Sequence, residues 1–496
     1  LRNFVERLAA LSELQVIDEP VALLDLASRL DGNTKAVLCR KVGPEGVEVI
    51  GNVLGSRRRI AAGFGVDERE LTNEILRRLA VPQGVIEIDQ RHAPAQQVVR
   101  TGAEADFTRL PAHLQHALDG GPYLSSGIDY VIDPETGWTN VGSRRLMLRG
   151  RHEAGIDLVA PSDLRAIYMK SAARGQRLAV SFALGSHPID FMAASMRLPV
   201  DELGITASLR GEPLPVVRCR TNDILVPADA EMILEGYLDE RGHVEAEGPY
   251  GEFFGYYGAM KQNPVFHLTA ITARKDALFQ TTTISGRAIK HTETSQIGSV
   301  RTEIAVWNAL RTAVREPVAV HATPASNGSN NVRIAMRQRN PGEARNAIAA
   351  TFASLANVKH VFVVDDDIDI FSDEQMDWAL GTRFQADRDL VVESGFRAMP
   401  LDPSLDGKRH AGKAGFDLTI PLDRKNALEY RVPEPPKRQT ARFQTVRQAL
   451  ESKPMFFGDI VGALGSIDGR EVVLDLDELR RQGVLTRLAQ GEYALK

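Results

Sequence analysis

The 496-residue chain predicts a mixed α/β and α+β fold in four successive parts. Helix-like and strand-like periodicities alternate over residues 1–105 and again over 299–430. Between them, short apolar or alternating runs recur from Leu124 to Thr283, at the density of a barrel or sandwich with inserted helices. A linker rich in proline and charge, Val432-Pro433-Glu434-Pro435-Pro436-Lys437-Arg438, sets off a tail at 441–496.

In the first part, apolar spacing predicts helices over Leu1 to Leu11 and Ala22 to Leu30, strands over Ala36 to Arg40 and Val47 to Val53, and a closing helix over Glu68 to Leu79. The second part spans 106–298 and begins with a connector containing proline and histidine, Leu110 to Tyr123. Its strands are predicted at Ile128 to Ile132, Arg144 to Leu148, Leu178 to Phe182, Val216 to Arg220 and Val265 to Ala273. Asp133-Pro134, Gly211-Glu212-Pro213 and Pro227 separate them as turns. In the third part, Val358 to Val364 is a buried strand by composition and Asp373 to Leu380 is the helix after it. The acids Asp365, Asp366, Asp367 and Asp369 follow that strand, where a solvated turn or cap is favoured over a metal site.

The tail predicts three short helices, Ala441 to Glu451, Phe456 to Leu464 and Leu474 to Gln482, then a hairpin around Gln490-Gly491. That succession resembles a winged helix. A helix that reads the DNA major groove needs surplus positive charge. From Ala441 onward the chain has eight Lys/Arg and eight Asp/Glu, 8 - 8 = 0, so a packing or subunit-contact role is expected.

Composition narrows the function classes. A formal net charge of -5 argues against nucleic acid as a partner. Cys39 and Cys219 cannot make a disulfide framework or a Cys-rich zinc site. The first twenty residues mix charges through an amphipathic pattern unlike a secretory signal, and no apolar run reaches membrane-spanning length. A reducing cytoplasm is the expected compartment.

Chemistry concentrates in Glu247-Gly248-Pro249-Tyr250-Gly251-Glu252. Gly, Pro and Gly forbid a helix there, and Tyr250, Phe253, Phe254, Tyr256 and Tyr257 crowd the second acid. A carboxyl among apolar groups keeps its proton, while one facing a cation stays ionised, so two such acids suit acid/base chemistry. A Gly-rich turn with two solvated glutamates fits the pattern equally. A second candidate is Asn140-Val141-Gly142-Ser143-Arg144-Arg145, where adjacent arginines entering a strand face opposite sides. One guanidinium fork could meet a carboxylate or phosphate while the other is exposed. His113 and His116, at HxxH spacing, read as ordinary surface or core histidines.

Taken in order, Asn140-x-Gly142-x-x-Arg145, the acid Glu202 after a small-residue segment and the run from Glu247 to Glu252 resemble the UbiD family of prenylated-FMN-dependent, reversible, non-oxidative decarboxylases. The approach Leu110-Pro111 to Asp119-Gly120-Gly121-Pro122-Tyr123, the block from Thr221-Asn222-Asp223 to Glu235-Gly236, and Asp366-Asp367-Ile368-Asp369 are similar to it as well. The likeness covers about the first 420 residues in consistent order and leaves the tail unexplained. It implies a central split β-barrel of flavin-reductase-like type, between an N-terminal α/β unit and a C-terminal α/β oligomerisation domain.

The resemblance also implies roles. Asn140 and Glu202 would ligate a divalent ion, Mn2+ or Mg2+, that bridges to the cofactor phosphate, with Asp163 as the intermediate ligand. K+ would be held near Ala194 to Met196. Ser143, Arg144, Arg145, Leu158, Ser162 and Asp163 fall in segments that contact the flavin. Arg145 would pair with Glu247 and orient the substrate carboxylate, and Glu252 would deliver the proton that replaces CO2 on a covalent cofactor adduct. Arg144 stands where relatives often have tyrosine. The implied partners are a small aromatic, heteroaromatic or α,β-unsaturated acid, CO2, a flavin prenyltransferase as cofactor supplier, and further copies of the chain in a homodimer or larger oligomer. Arg144, Arg287, Lys290 and His291 suggest a substrate with a second carboxylate or a hydroxyl; pairing of these cations with Glu293 or solvent is the competing reading. Two other functions stay open: a flavin-dependent oxidoreductase, although no Gly-x-Gly-x-x-Gly follows a strand, and a ligand-binding regulator using the tail.

Overall fold

The computed structural model describes residues 1–198, 200–354, 358–425 and 427–496, which form two compact units, 1–419 and 420–496. The first unit opens with α1 (Arg2–Ala10), β1 (Leu14–Val21), α2 (Leu23–Leu30), β2 (Ala36–Val42), β3 (Val47–Gly51), α3 (Arg57–Phe64) and α4 (Leu71–Leu79). α1 buries Phe4, Val5 and Leu8 on one face. β1 runs parallel to β2, which pairs antiparallel with β3. Sequence periodicity misses β1 and α3. β1 contains Pro20 and three acidic or amide residues, and α3 starts with three arginines that read as surface. Arg59 is nevertheless fully buried, donating to Glu13 at 3.0 Å and to the Thr34 carbonyl at 2.7 Å.

After β4 (Val85–Glu87) and β5 (Val98–Thr101) come β6 (Tyr123–Ile132), β7 (Thr139–Leu148), β8 (Glu153–Ile156), α5 (Asp163–Ala173), β9 (Leu178–Leu184), α6 (Pro188–Ala194), α7 (Glu202–Arg210), β10 (Leu214–Arg218), β11 (Leu225–Pro227) and β12 (Met232–Leu238). Two small hairpin-like pairs follow: β13 (Glu245–Glu247) with β16 (Lys261–Asn263), and β14 (Tyr250–Gly251) with β15 (Tyr257–Gly258). β17 (Val265–Ala273) and β18 (Phe279–Gln280) complete this part, and β18 joins β3.

Six of these strands close into an antiparallel barrel in the order β12-β9-β6-β7-β8-β17, with β17 returning to β12. The barrel expected from the middle of the sequence is therefore present, and it is closed. Phe182 and Phe266 meet edge-on inside it with ring centroids 5.0 Å apart. At the seam the register slips between Glu235 and Gly236. Gly236 is required there, because a Cβ would strike the His267 carbonyl.

α8 (Glu293–Ala313) leads into β19 (Pro317–Ala322), β20 (Asn331–Met336), α9 (Glu343–Ser354), β21 (His360–Asp365), α10 (Asp373–Arg383), β22 (Leu390–Arg397) and β23 (His410–Asp417). The strands form one sheet, β19-β20-β21-β23-β22. α8 runs unbroken through residue 298, where the sequence suggests a boundary. The acids after β21 face arginines: Asp366 meets Arg337 at 2.5 Å, Asp367 meets Arg383 at 2.6 Å and Asp369 meets Arg69 at 2.6 Å. No cluster of three metal-ligating acids, histidines or cysteines occurs among the described residues.

The second unit has helices Val446–Ser452, Phe457–Leu464 and Arg470–Arg481 around Val446, Leu450, Ile460, Val472 and Leu476. Strands Leu485–Arg487 and Tyr493–Leu495 pair as the expected hairpin. Among the described residues, no helix is long and apolar enough to cross a membrane.

Two glutamates on α8 tie the first unit together. Glu303 takes Arg57 at 2.6 Å, His321 Nδ1 at 2.9 Å and the Ala322 amide at 3.2 Å. Glu293 accepts the Leu54 and Thr283 amides, both at 3.0 Å. Burial pushes the Glu293 carboxyl up to about 7 from an ordinary 4.5, against those hydrogen bonds. The unfolded chain sheds this proton first, so folding stability falls as pH rises from the unfolded value toward 7 and is level above it. We expect this one group to cost on the order of 3 kcal/mol across that window. Glu293→Gln should remove that part of the slope when urea midpoints are compared at pH 5 and pH 7.5. An unchanged slope would show that Glu293 titrates normally.

Candidate functional site

The run from Glu247 to Glu252 leaves β13, turns at Gly248 and Pro249, and re-enters as β14. Backbone contacts fix this turn. Gly120 donates its amide to the Pro249 carbonyl at 2.8 Å, and Gly251 donates to Asp119 at 2.9 Å. Gly120 sits so close to the Gly248 carbonyl that a Cβ would overlap it. The segment Leu110 to Tyr123, singled out by sequence, thus has a physical role, because its main chain holds the acidic turn.

β7 supplies Arg144 and Arg145, which take opposite faces as strand alternation requires. Arg145 reaches Glu247 through Nε at 2.9 Å and Nη2 at 3.3 Å, Asp157 at 3.2 Å and Glu252 Oε1 at 3.2 Å. The Tyr250 ring lies under the guanidinium, 4.3 Å from centroid to carbon, which adds a cation–π contact. The Tyr123 hydroxyl donates to Glu247 at 3.0 Å, and Lys261 meets Asp157 at 3.1 Å. Burial alone would depress the Arg145 guanidinium, but Glu252 and Glu247 hold it above its ordinary value.

Three carboxylates (Glu247, Asp157, Glu252) thus face two cations (Arg145, Lys261), a net of 2 - 3 = -1 when all are ionised. One bound proton makes the group neutral. Burial favours a proton on Asp157, but Arg145 and Lys261 overcome it and hold that carboxyl below its usual range. For Glu252 burial prevails, and its carboxyl is raised despite Arg145 and Lys261. Glu252 is therefore better placed than Asp157 to hold a proton.

The surroundings of Glu252 differ from the sequence expectation in one respect. Tyr250 and Phe254 are buried, but Tyr256 and Tyr257 are exposed, and the Tyr257 hydroxyl accepts the Leu118 amide at 3.0 Å. Folding, more than a cage of rings, is what excludes water from this acid. Asp157 as a partner of Arg145, Lys261 as a partner of Asp157 and Tyr123 as a partner of Glu247 were not foreseen, since the pairs span 12 to 124 residues and no local spacing marks them.

A second group forms at the start of β7. Glu202 Oε2, at the first turn of α7, accepts Asn140 Nδ2 at 2.7 Å and the Val141 amide at 2.6 Å. Among the described residues, Glu202 Oε1 and Asn140 Oδ1 have no partner. Burial pushes the Glu202 carboxyl up to about 7, with Asp163 adding to the rise. Asp163 itself turns to Arg197, 2.9 Å away, and is half exposed. Ser162 caps α5 by accepting the Arg165 amide. Leu158 is buried, its amide bonded to Asn263 at 2.9 Å, while Ser143 is exposed. Arg144 lies 3.9 Å from the fully buried Asp129, whose carboxyl burial pushes up.

Behind Tyr250 lies a cavity of about 210 Å³, lined in part by Gln115, His116, Thr282, Ile284 and His291. Gln115 accepts the Tyr250 hydroxyl, and Ile284 packs on Tyr123 and Tyr250. Arg287 and Lys290 are exposed and outside this lining, and neither pairs with Glu293. His113 is buried, and His116 pairs with Asp119 at 3.1 Å.

Comparison with known proteins places these residues in context. The family model described as the 3-octaprenyl-4-hydroxybenzoate carboxy-lyase Rift-related domain matches residues 86–288; those of the N-terminal and C-terminal domains match 5–79 and 295–418. An anhydromevalonate phosphate decarboxylase of Methanosarcina mazei is 33% identical over 433 residues, 86% of this chain and 98% of that protein. The UbiD-class enzyme HmfF from Pelotomaculum thermopropionicum, in complex with FMN, superposes with a TM-score of 0.82 at 32% identity, covering 88% of this chain and 97% of that one. The apo 3,4-dihydroxybenzoic acid decarboxylase AroY of Klebsiella pneumoniae gives a TM-score of 0.80 at 25% identity, covering 88% and 96%.

The charge count around Arg145 yields a test of its own. Lys261→Met removes a cation that favours ionised Glu252, so the Glu252 midpoint should rise by about one pH unit. Infrared difference titration of the carboxyl stretch, with Glu252→Gln as the blank, measures it. A midpoint that stays or falls would contradict the geometry.

Proposed function

The chain belongs to the UbiD family of carboxy-lyases, and from that premise we propose that it removes CO2, reversibly and without net oxidation, from an aromatic, heteroaromatic or α,β-unsaturated acid. The observation that carries this reading is the sharing of Arg145 between Glu247 and Glu252, whose carboxyl burial raises. Relatives in complex with FMN and with prFMN support prenylated FMN as cofactor. The residues present fit such a group. Glu202 and Asn140 aim unpartnered oxygens from a buried site, as a hard divalent ion such as Mn2+ or Mg2+ requires. Ser143, Arg144, Leu158, Ser162 and Asp163 would contact the flavin, as the resemblance implies, and K+ would sit by Ala194 to Met196. Bound prenylated FMN supplies an electron sink for the pair left behind when CO2 departs.

The protein's own work is orientation and proton delivery. Arg145 already faces three acids, and a substrate carboxylate would share its fork on the open side. Glu247, held by Arg145 and Tyr123, fixes the guanidinium in place. Glu252 then gives its proton to the carbon that has lost CO2, and in the reverse direction it takes that proton back. The polar lining behind Tyr250 suits a substrate with a second polar group. Support comes from two relatives named for anhydromevalonate phosphate and 3,4-dihydroxybenzoic acid. The protein works in the cytoplasm as a homodimer or larger oligomer and receives its cofactor from a flavin prenyltransferase.

Co-expression with a flavin prenyltransferase, followed by a screen of phenolic, furan and unsaturated phospho-acids for CO2 release, tests the activity. Failure on every acid by a cofactor-loaded enzyme would reject it. Glu252→Gln should lower turnover by at least about 1,000-fold while the cofactor absorbance is retained. With intact Glu252 the rate should fall as pH climbs through its raised midpoint. A variant running at the parent rate would exclude Glu252 as the acid. Asn140→Ala and Glu202→Ala should lose divalent metal and cofactor together, and stoichiometric metal by elemental analysis would remove them from the ligand set.

A further inference from the structure

His116 lines the cavity behind Tyr250 and also touches the hairpin that carries Glu252. Its Nδ1 lies 3.1 Å from Asp119 Oδ2 and 3.3 Å from Oδ1. The Asp119 carboxylate is fully enclosed, and it also accepts the His116 amide on Oδ2 and the Gly251 amide on Oδ1, both at 2.9 Å. A carboxylate that takes two amides is an acceptor on both oxygens, so Nδ1 is the donor in this contact. Among the described residues, His116 is the one side chain that donates to Asp119. An enclosed carboxylate stays ionised only where donors meet it. Left with two amides alone, Asp119 would be easier to protonate and would hold Gly251 less strongly.

The imidazole meets both strands of the hairpin. Glycine is required at 251 because a Cβ there would lie 2.4 Å from His116 Nδ1. The ring stands edge-on to Tyr250 of β14 and to Tyr257 of β15, with centroids 5.8 and 6.3 Å apart. The residues just after His116 grip the same two strands, Leu118 through the Tyr257 hydroxyl and Asp119 through the Gly251 amide. Glu252 is the next residue, its amide bonded to the Tyr256 carbonyl at 2.9 Å, so slack at Gly251 passes directly to the acid. His116 Nε2 has no hydrogen-bond partner among the described residues, which makes direct contact with substrate in the cavity the competing role.

We propose that His116 is a positioning residue for Glu252, acting through Asp119 and the Gly251 amide. Its Nδ1–H keeps Asp119 an ionised acceptor, and Asp119 in turn holds the strand that sets Glu252 against Arg145. The inference rests on the reading of Glu252 as proton donor given above. His116 gives no proton to the substrate in this scheme.

Two variants separate the hydrogen bond from the ring. His116→Asn keeps a donor nitrogen where Nδ1 stands and gives up most of the ring, whereas His116→Phe keeps a ring and has no donor. In the cofactor-loaded full chain, His116→Phe should lower kcat about 30-fold and move KM less than about threefold on the best acid of the screen, and His116→Asn should recover most of that loss. In the flavin-free full chain, infrared titration should show the Glu252 midpoint lower by about one pH unit in His116→Phe, because a loosened turn admits water, and restored in His116→Asn. Each variant is read against its own Glu252→Gln double variant, and circular dichroism confirms folding. An unchanged midpoint in His116→Phe overturns the proposal. So does a His116→Asn no better than His116→Phe, since ring packing would then be the cause. A rise in KM at constant kcat also overturns it and makes His116 a substrate contact. If the loaded parent releases CO2 from no acid, the decarboxylase reading fails, and the midpoints alone decide this inference.

Discussion

A single buried guanidinium organises the candidate site. Arg145 has more acidic neighbours than it can neutralise, and that imbalance is what gives the site its chemistry. Were Glu247 its only partner, the pair would be a closed structural bridge. With a third carboxyl present the acids differ, and burial raises that of Glu252 despite the guanidinium beside it. Lys261, which also binds Asp157, opposes that rise. The Tyr250 and Tyr123 rings lie against the guanidinium and help fix it in place.

The rest of the first unit can be understood as support for that centre. The closed barrel fixes β7, and with it the spacing between Asn140 at one end of the motif and Arg145 at the other. Two glutamates of α8 bind the N-terminal α/β unit, the segment after β18 and the first strand of the C-terminal sheet. Buried carboxylates of this kind contribute specificity of arrangement more than net stability. Both are paired so that each accepts from at least two different parts of the chain.

Much of this was legible in the sequence, for reasons that are themselves physical. Val265 to Ala273 is a strand with the bounds its alternation suggests, and the run from Glu247 to Glu252 had to be a turn because of its Gly and Pro residues. The alternation of Arg144 and Arg145 followed from strand geometry. What stayed hidden depends on long-range pairing. Arg59 looks like surface until Glu13 and Thr34 are folded around it, and the acids after β21 look like a solvated turn or a metal site until Arg69, Arg337 and Arg383 arrive. Asp163 illustrates another case: only the family resemblance groups it with Asn140 and Glu202, and its side chain pairs with Arg197.

The stapling of the acidic turn by main-chain groups has an evolutionary consequence. Gly120, Pro249 and Gly251 hold the loop that carries Glu252 through backbone amides and a carbonyl, with Asp119 the sole side chain engaged in those bonds. The cavity behind Tyr250, in contrast, is walled by side chains from α2, the connector before β6 and the stretch after β18. Recognition can therefore drift at one wall at a time while the acid stays where it is. A scaffold divided in this way lets a lineage acquire new substrates by ordinary point substitutions, without having to rediscover its chemistry.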